Sequence, residues 1–149
     1  MRYFDLVLAS GGDSLHPIDG RLAAASGITR ELLHHVDGYG DGTGALLYRL
    51  RGDPEAAAVA VQGDGLLDYD VTEPDADGGF YCYVRLTPAD PTGTLLALCY
   101  EHALIIETPV TFREDGSLRV RIVGQHETLR EALTTVSDGV QVTVEEVGH

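Results

Sequence analysis

The sequence predicts an α+β fold built of two tandem units, and two observations carry that prediction. The first is a duplication. Asp41-Gly42 recurs as Asp115-Gly116, Asp64-Gly65 as Asp138-Gly139 and Pro17 as Pro91, each displaced by 74 positions in a chain of 149 residues. The second is the spacing of apolar residues, which alternates between the period of a strand and that of a helix in the order β-α-β-β-α-β within each half. Such a unit folds as a four-stranded antiparallel sheet with both helices on one face, the ferredoxin-like arrangement. The expectation is therefore tandem ferredoxin-like βαββαβ repeats, residues 1–74 and 75–149, forming an intramolecular pseudo-dimer with antiparallel sheets. Units this small gain little stability from a core of their own, so mutual docking should be part of the fold. Edge-to-edge and face-to-face docking both remain open at this point, with Tyr81 and Tyr83 as candidates for the interface.

Each element has a local reason. Residues 3–9 form an apolar strand, and a short helix from Pro17 or Ile18 to Ala25 is ended by Gly27. A strand within residues 31–36 and another over 45–51 flank the Asp41-Gly42-Thr43 turn, where glycine supplies the positive φ that a tight hairpin requires. Asp53-Pro54 opens a helix, with Asp as N-cap and Pro where its missing N–H costs nothing, and residues 63–65 stop it. Over 67–72, Leu67, Tyr69 and Val71 alternate with Asp68, Asp70 and Thr72, the pattern of a sheet with one wet face. Residues 73–79 lack apolar periodicity and read as the joint between the halves. The plan then repeats: Phe80, Cys82, Val84 and Leu86 on one strand face, a helix capped by Asp90-Pro91 reaching Tyr100, and strands over 104–112 and 118–123 around Asp115-Gly116. Pro109 marks an edge or a bulge. Leu129, Ala132, Leu133 and Val136 give the last helix an apolar stripe, and Val140, Val142 and Val144 form the closing strand. The offset pairs Leu67 with Gln141, so the last strands of the halves differ in register by one residue; either the duplication is old or one strand carries a bulge.

Charge restricts the function classes. Twenty-four acidic residues face ten basic ones, a formal net of −14, and every basic residue is Arg. The acids divide evenly between the halves, so the surplus is a surface property and not a tail. Such a field repels phosphates and anionic membranes, which disfavours direct nucleic-acid binding, and it suits a solvent whose salt screens the self-repulsion. The composition looks like that of a protein from the cytoplasm of a salt-accumulating halophile. No segment approaches the roughly 18 apolar residues needed to cross a bilayer, and no signal peptide is visible. Cys82 and Cys99 lack any zinc or disulfide spacing and read as buried free thiols.

Chemistry-bearing residues are few. Gly11, Gly12 and Asp13 lie in a glycine-rich loop between the first strand and the first helix, where backbone N–H groups could cradle an anion. His16, His34, His35 and His102 are the candidate ligand-binding histidines. Adjacent side chains on a strand point to opposite faces, so only one of His34 and His35 should reach any single site. Convergence of His16, His102 and one of that pair would define a metal-binding or oxygenase-like site of the dimeric ferredoxin-like barrel type. No nucleophile elbow, metalloprotease helix or paired-cysteine motif occurs, and catalysis is not expected. Arg49 and Arg51, with Arg119 and Arg121 in the repeat, form two short outward rows that should pair with neighbouring carboxylates.

A set of short motifs adds a resemblance. Leu15-His16-Pro17-Ile18-Asp19, Glu31 followed by His34-His35, Asp41-Gly42-Thr43-Gly44 leading into Leu47-Tyr48, Arg51-Gly52-Asp53, residues 67–71 and Thr108-Pro109-Val110 together resemble the N-terminal domain of haloarchaeal regulators of the bacterio-opsin activator type. In that family the domain precedes a C-terminal helix-turn-helix domain that contacts DNA. The resemblance implies a regulatory module acting through a small-molecule effector, through homodimerisation, or through both, and working on a DNA-binding domain of the same polypeptide. No basic tri-helical segment follows the final strand here, so no residue of this sequence is expected to contact DNA.

Overall fold

The computed structural model describes residues 2–9, 16–89, 92–113, 115–136 and 141–148. The first half contains β1 (Arg2–Ala9), α1 (Pro17–Ala24), β2 (Ile28–Gly38), β3 (Gly44–Gly52), α2 (Pro54–Val61) and β4 (Leu66–Val71). The second contains β5 (Gly79–Leu86), α3 (Thr92–Glu101), β6 (Ile105–Phe112), β7 (Leu118–Gly124), α4 (His126–Val136) and β8 (Gln141–Gly148). The result is a mixed α/β fold with an antiparallel sheet and four helices among the described residues. Asp53 caps α2 by accepting the Glu55 N–H at 3.0 Å, with Pro54 in the first helical position. The expected Asp90-Pro91 cap and the Asp138-Gly139 pair lie outside the described residues.

The two hairpin turns, 74 positions apart, have the same local geometry. Asp41 Oδ1 accepts from the N–H and the hydroxyl of Thr43 at 3.0 and 2.7 Å, and Asp115 Oδ1 accepts from the N–H and the hydroxyl of Ser117 at 2.9 and 2.6 Å. Gly42 and Gly116 take φ of 86° and 84°, a conformation that a Cβ would strain. Residues 39 and 43, and residues 113 and 117, close the turns with equivalent backbone hydrogen bonds.

The strands run in the order β4-β5-β3-β2-β6-β7-β1-β8. This corrects the picture of two halves that each close their own sheet, because the first strands are exchanged. β1 lies between β7 and β8, while β5 lies between β3 and β4. Cross-strand chemistry fits the exchange: Asp5 stands opposite Arg121, which grips its carboxylate through two hydrogen bonds at 2.6 and 2.9 Å and lays its guanidinium over Tyr3. The segment 73–79, read as a joint, is a tight hairpin between β4 and β5, closed by Asp75 N–H to Gly79 at 2.8 Å and Gly78 N–H to Asp75 at 3.0 Å. The two four-stranded groups that result, β4-β5-β3-β2 and β6-β7-β1-β8, meet edge to edge through β2 and β6, at Leu32–Thr111 and Leu33–Val110. Tyr81 and Tyr83 lie away from the β2–β6 edge but do face the other half: on β5 they stand opposite Arg49 and Leu47 of β3, and Tyr81 packs against Arg49 and His34.

One apolar cluster runs through both halves. Leu46, Tyr48 and Leu50 of β3, Phe80, Cys82, Val84 and Leu86 of β5, and Leu118, Val120 and Ile122 of β7 face it, with Ile18, Leu22, Ala57, Val61, Leu96 and Leu129 closing it from the helices. Leu129 and Ala132 of the expected α4 stripe are buried, and the side chains of Leu133 and Val136 are outside the description. Leu67 is a correction. A register shift between Leu66 and Asp68 breaks the alternation, so Leu66 packs on the core and Leu67 is exposed. A second shift, between Asp5 and Leu6 in the β1–β8 pairing, inserts an extra residue into β8. Pro109 lies within the register shift of β6 against β7, which makes it a bulge residue on an interior strand and not an edge residue. The arginines pair with carboxylates as expected: Arg49 with Asp75 and Asp77, Arg51 with Glu31, and Arg119 and Arg121 with Asp5. Both cysteines are buried free thiols, and burial pushes Cys82 up to about 12 and Cys99 up to about 11. No helix of the described residues is long and apolar enough to cross a membrane.

Candidate functional site at the seam

The 74-residue repeat sets a standard against which the seam can be read. A perfect two-fold relation would map Leu32–Thr111 onto Asp37–Ile106 and Leu33–Val110 onto Val36–Glu107, zipping β2 to β6 at both ends. Among the described residues only the first two pairs form. Beyond Leu33 the ladder of paired residues stops, and Pro109, which has no N–H to donate, follows the last pair. A cleft of about 360 Å³ opens there, lined by residues 35–38 of β2, by Leu96, Cys99 and Tyr100 of α3, and by residues 104–106 and Thr108. Gly38 brings α3 in: a Cβ at that position would stand 3.0 Å from both Cβ and the carbonyl oxygen of Leu96.

The cleft has an apolar body and a polar rim. Leu96 and Leu104 are buried at its floor, whereas Tyr100 and Ile105 are each 63% exposed at its mouth. His35, Asp37 and Thr108 add polar groups, and the buried Cys99 thiol is held protonated by the same burial that raises it. Asp37 supplies the formal charge of the lining, which contains no Arg.

The opposite end of the seam is closed by a buried ionic cluster. Asp19 of α1 accepts the Tyr48 hydroxyl at 2.7 Å and the Arg30 guanidinium at 2.8 Å. Arg30 in turn lies 4.3 Å from the centre of the Phe112 ring, and Phe112 stacks on Tyr48 at an interplanar angle of 11°. Phe112 belongs to the second half and the other three residues to the first, so the cluster spans the seam next to Leu32–Thr111. Burial first, and the Asp19 carboxylate second, hold the Tyr48 hydroxyl protonated far above the usual phenol range.

The sequence candidates separate. His35 lines the cleft and His34 does not, yet the two side chains do not point to opposite faces as simple alternation requires. A register shift between Leu33 and His35 bulges β2, and the two imidazoles meet edge to face with centroids 4.8 Å apart. His16 is buried as the N-cap of α1: Nδ1 accepts the Ile18 N–H at 3.1 Å and Nε2 donates to the Thr87 carbonyl at 3.0 Å, which fixes the neutral tautomer. Burial lowers its pKa first, with Arg21 also lowering it, against the Thr87 hydrogen bond and Asp19. His102 is exposed just after α3. Gly11, Gly12 and Asp13 lie outside the described residues. The structure therefore does not bring His16, His102 and the His34/His35 pair into one site, and no group of three His, Cys, Asp or Glu residues that could hold a metal forms among the described residues. Sequence reasoning gave no site role to Asp37, Tyr100 and Thr108 in the cleft or to Arg30 and Tyr48 in the cluster, although Thr108 and Tyr48 stand in motifs that carry the resemblance. Tyr48 within an otherwise aliphatic strand face was the one local signal.

A mixed α/β domain with an antiparallel sheet, four helices among the described residues and a cleft between β2, α3 and β6 is the class that these features define. The chain belongs to the N-terminal domain family described as HVO_0513_N, N-terminal, whose profile matches residues 16–149. No curated protein matches the chain.

Proposed function

We propose that this domain is the N-terminal regulatory module of an archaeal, halophilic transcriptional regulator of the bacterio-opsin activator type, working in the cytoplasm on a DNA-binding domain of the same polypeptide. Its architecture, in this reading, is a fused pair of ferredoxin-like units with exchanged first strands, an intramolecular pseudo-dimer. The single observation that supports the role is the cleft at the half-opened seam. A ligand there touches β2 from one half and α3 and β6 from the other, so it can bias their docking through unequal affinity for two arrangements. The acidic surface argues for modulation at a distance from DNA and against contact with it. No specific observation favours the metal-binding or oxygenase-like alternative.

The test is thermal denaturation of the purified domain in molar KCl against a broad metabolite panel, together with sedimentation over a wide concentration range. A ligand-dependent rise in melting temperature, or ligand-dependent dimerisation, supports the regulatory reading. A melting temperature that no compound moves, with a monomer throughout, contradicts it.

A further inference from the structure

We infer that the seam cleft takes a small organic cation: a primary or secondary ammonium group carried on an apolar or aromatic body. The inference rests on reading the cleft as an effector site and names the chemistry of the ligand. Size sets the first limit, because about 360 Å³ is the space of about a dozen water molecules, near the lower end of ligand pockets. Charge sets the second. Asp37 is the carboxylate in the lining, no Arg faces it, and the chain carries a formal −14. An anionic metabolite would enter a site with no cationic partner against that field, whereas an ammonium group meets a carboxylate acceptor and the exposed Tyr100 ring, whose face also attracts cations. The body of the ligand is specified by what the cleft leaves uncovered. Ile105 and Tyr100 stand at the mouth with most of their surface in water, over a floor of Leu96 and Leu104, and an apolar ligand would cover them.

Three probes of matched size separate the possibilities: phenethylamine, 2-phenylethanol and 3-phenylpropionate, titrated into the 15N-labelled domain at pH 8, where an ordinary imidazole is neutral. The ammonium probe should shift the amides of His35, Asp37, Ile106 and Thr108 in a saturable way and bind at least threefold more tightly than the alcohol. Asp37→Asn should cut that preference about twofold to fivefold, the scale of an ion pair near the surface, while Asp68→Asn on distant β4 leaves it intact. Tighter binding of the carboxylate or the alcohol at these residues would overturn the cationic class and leave the cleft standing as an effector site. No saturable shift at the cleft with any probe would overturn the inference, and the regulatory reading would still be judged separately by the metabolite panel.

Discussion

The Tyr48 hydroxyl donates a 2.7 Å hydrogen bond to Oδ1 of Asp19 in the interior, while Arg30 occupies Oδ2 at 2.8 Å. A buried carboxylate is tolerated only when its lone pairs are taken and its charge is matched, and here one neutral and one cationic donor do both. Tyr48→Phe removes a donor but leaves the ion pair, and should lower stability by about 1–3 kcal/mol. Asp19→Ala leaves the Arg30 guanidinium, only 11% exposed, without its charge partner and should cost about 3–5 kcal/mol. Chemical denaturation of the two variants checks the order as well as the sizes.

His16 makes stability depend on pH. Its pKa in the folded chain lies below the ordinary 6.5, because burial penalises the cation and Nδ1 must stay unprotonated to accept the Ile18 N–H. The unfolded chain therefore binds the proton more readily. The contribution of His16 is fully present above about pH 6.5 and is lost as the pH falls from there towards the folded value. His16→Asn keeps an N-cap oxygen but cannot be protonated, so the variant should show a smaller drop in melting temperature between pH 7.5 and pH 5 than the parent. Equal drops in the two proteins would mean that His16 does not titrate on unfolding.

Gly38 lets the α3 backbone rest on β2. Gly38→Ala places a methyl group 3.0 Å from the Leu96 carbonyl oxygen and Cβ, and a backbone atom cannot swing aside as a flexible side chain can. The variant should lose about 1–3 kcal/mol, the usual cost of overpacking, and should displace α3 and so reshape the cleft. Amide shifts confined to residues 35–38 and 92–101 would report this; shifts spread over β1, β7 and β8 would not fit it.

What the sequence revealed and what it hid divide along the range of the interactions involved. The Asp41-Gly42 and Asp115-Gly116 turns were legible because their chemistry is local: an Asx side chain, a glycine at positive φ and a hydroxyl two residues on. The Asp53-Pro54 helix start was legible for the same reason. The exchange of β1 and β5 was not, since strands with the same alternating pattern can fill either half, and the choice is made by partners such as Asp5 and Arg121, 116 positions apart. His34 and His35 were misjudged because a bulge cancels alternation, and nothing around Leu33 announces one. The cleft was least legible of all. It exists where β2 and β6 stop pairing, so Asp37 and Tyr100 acquire a role from a gap in the sheet and not from any motif.

The exchanged first strands and the edge-to-edge seam are the claim on which the rest depends, and cross-strand NOEs in the intact domain test it most directly. The account predicts contacts between residues 6 and 120 and between 50 and 80, together with contacts of 33 with 110 and none of 36 with 107. NOEs joining β1 to β3, with β5 joined to β7, would mean that each half closes on itself, and would contradict it.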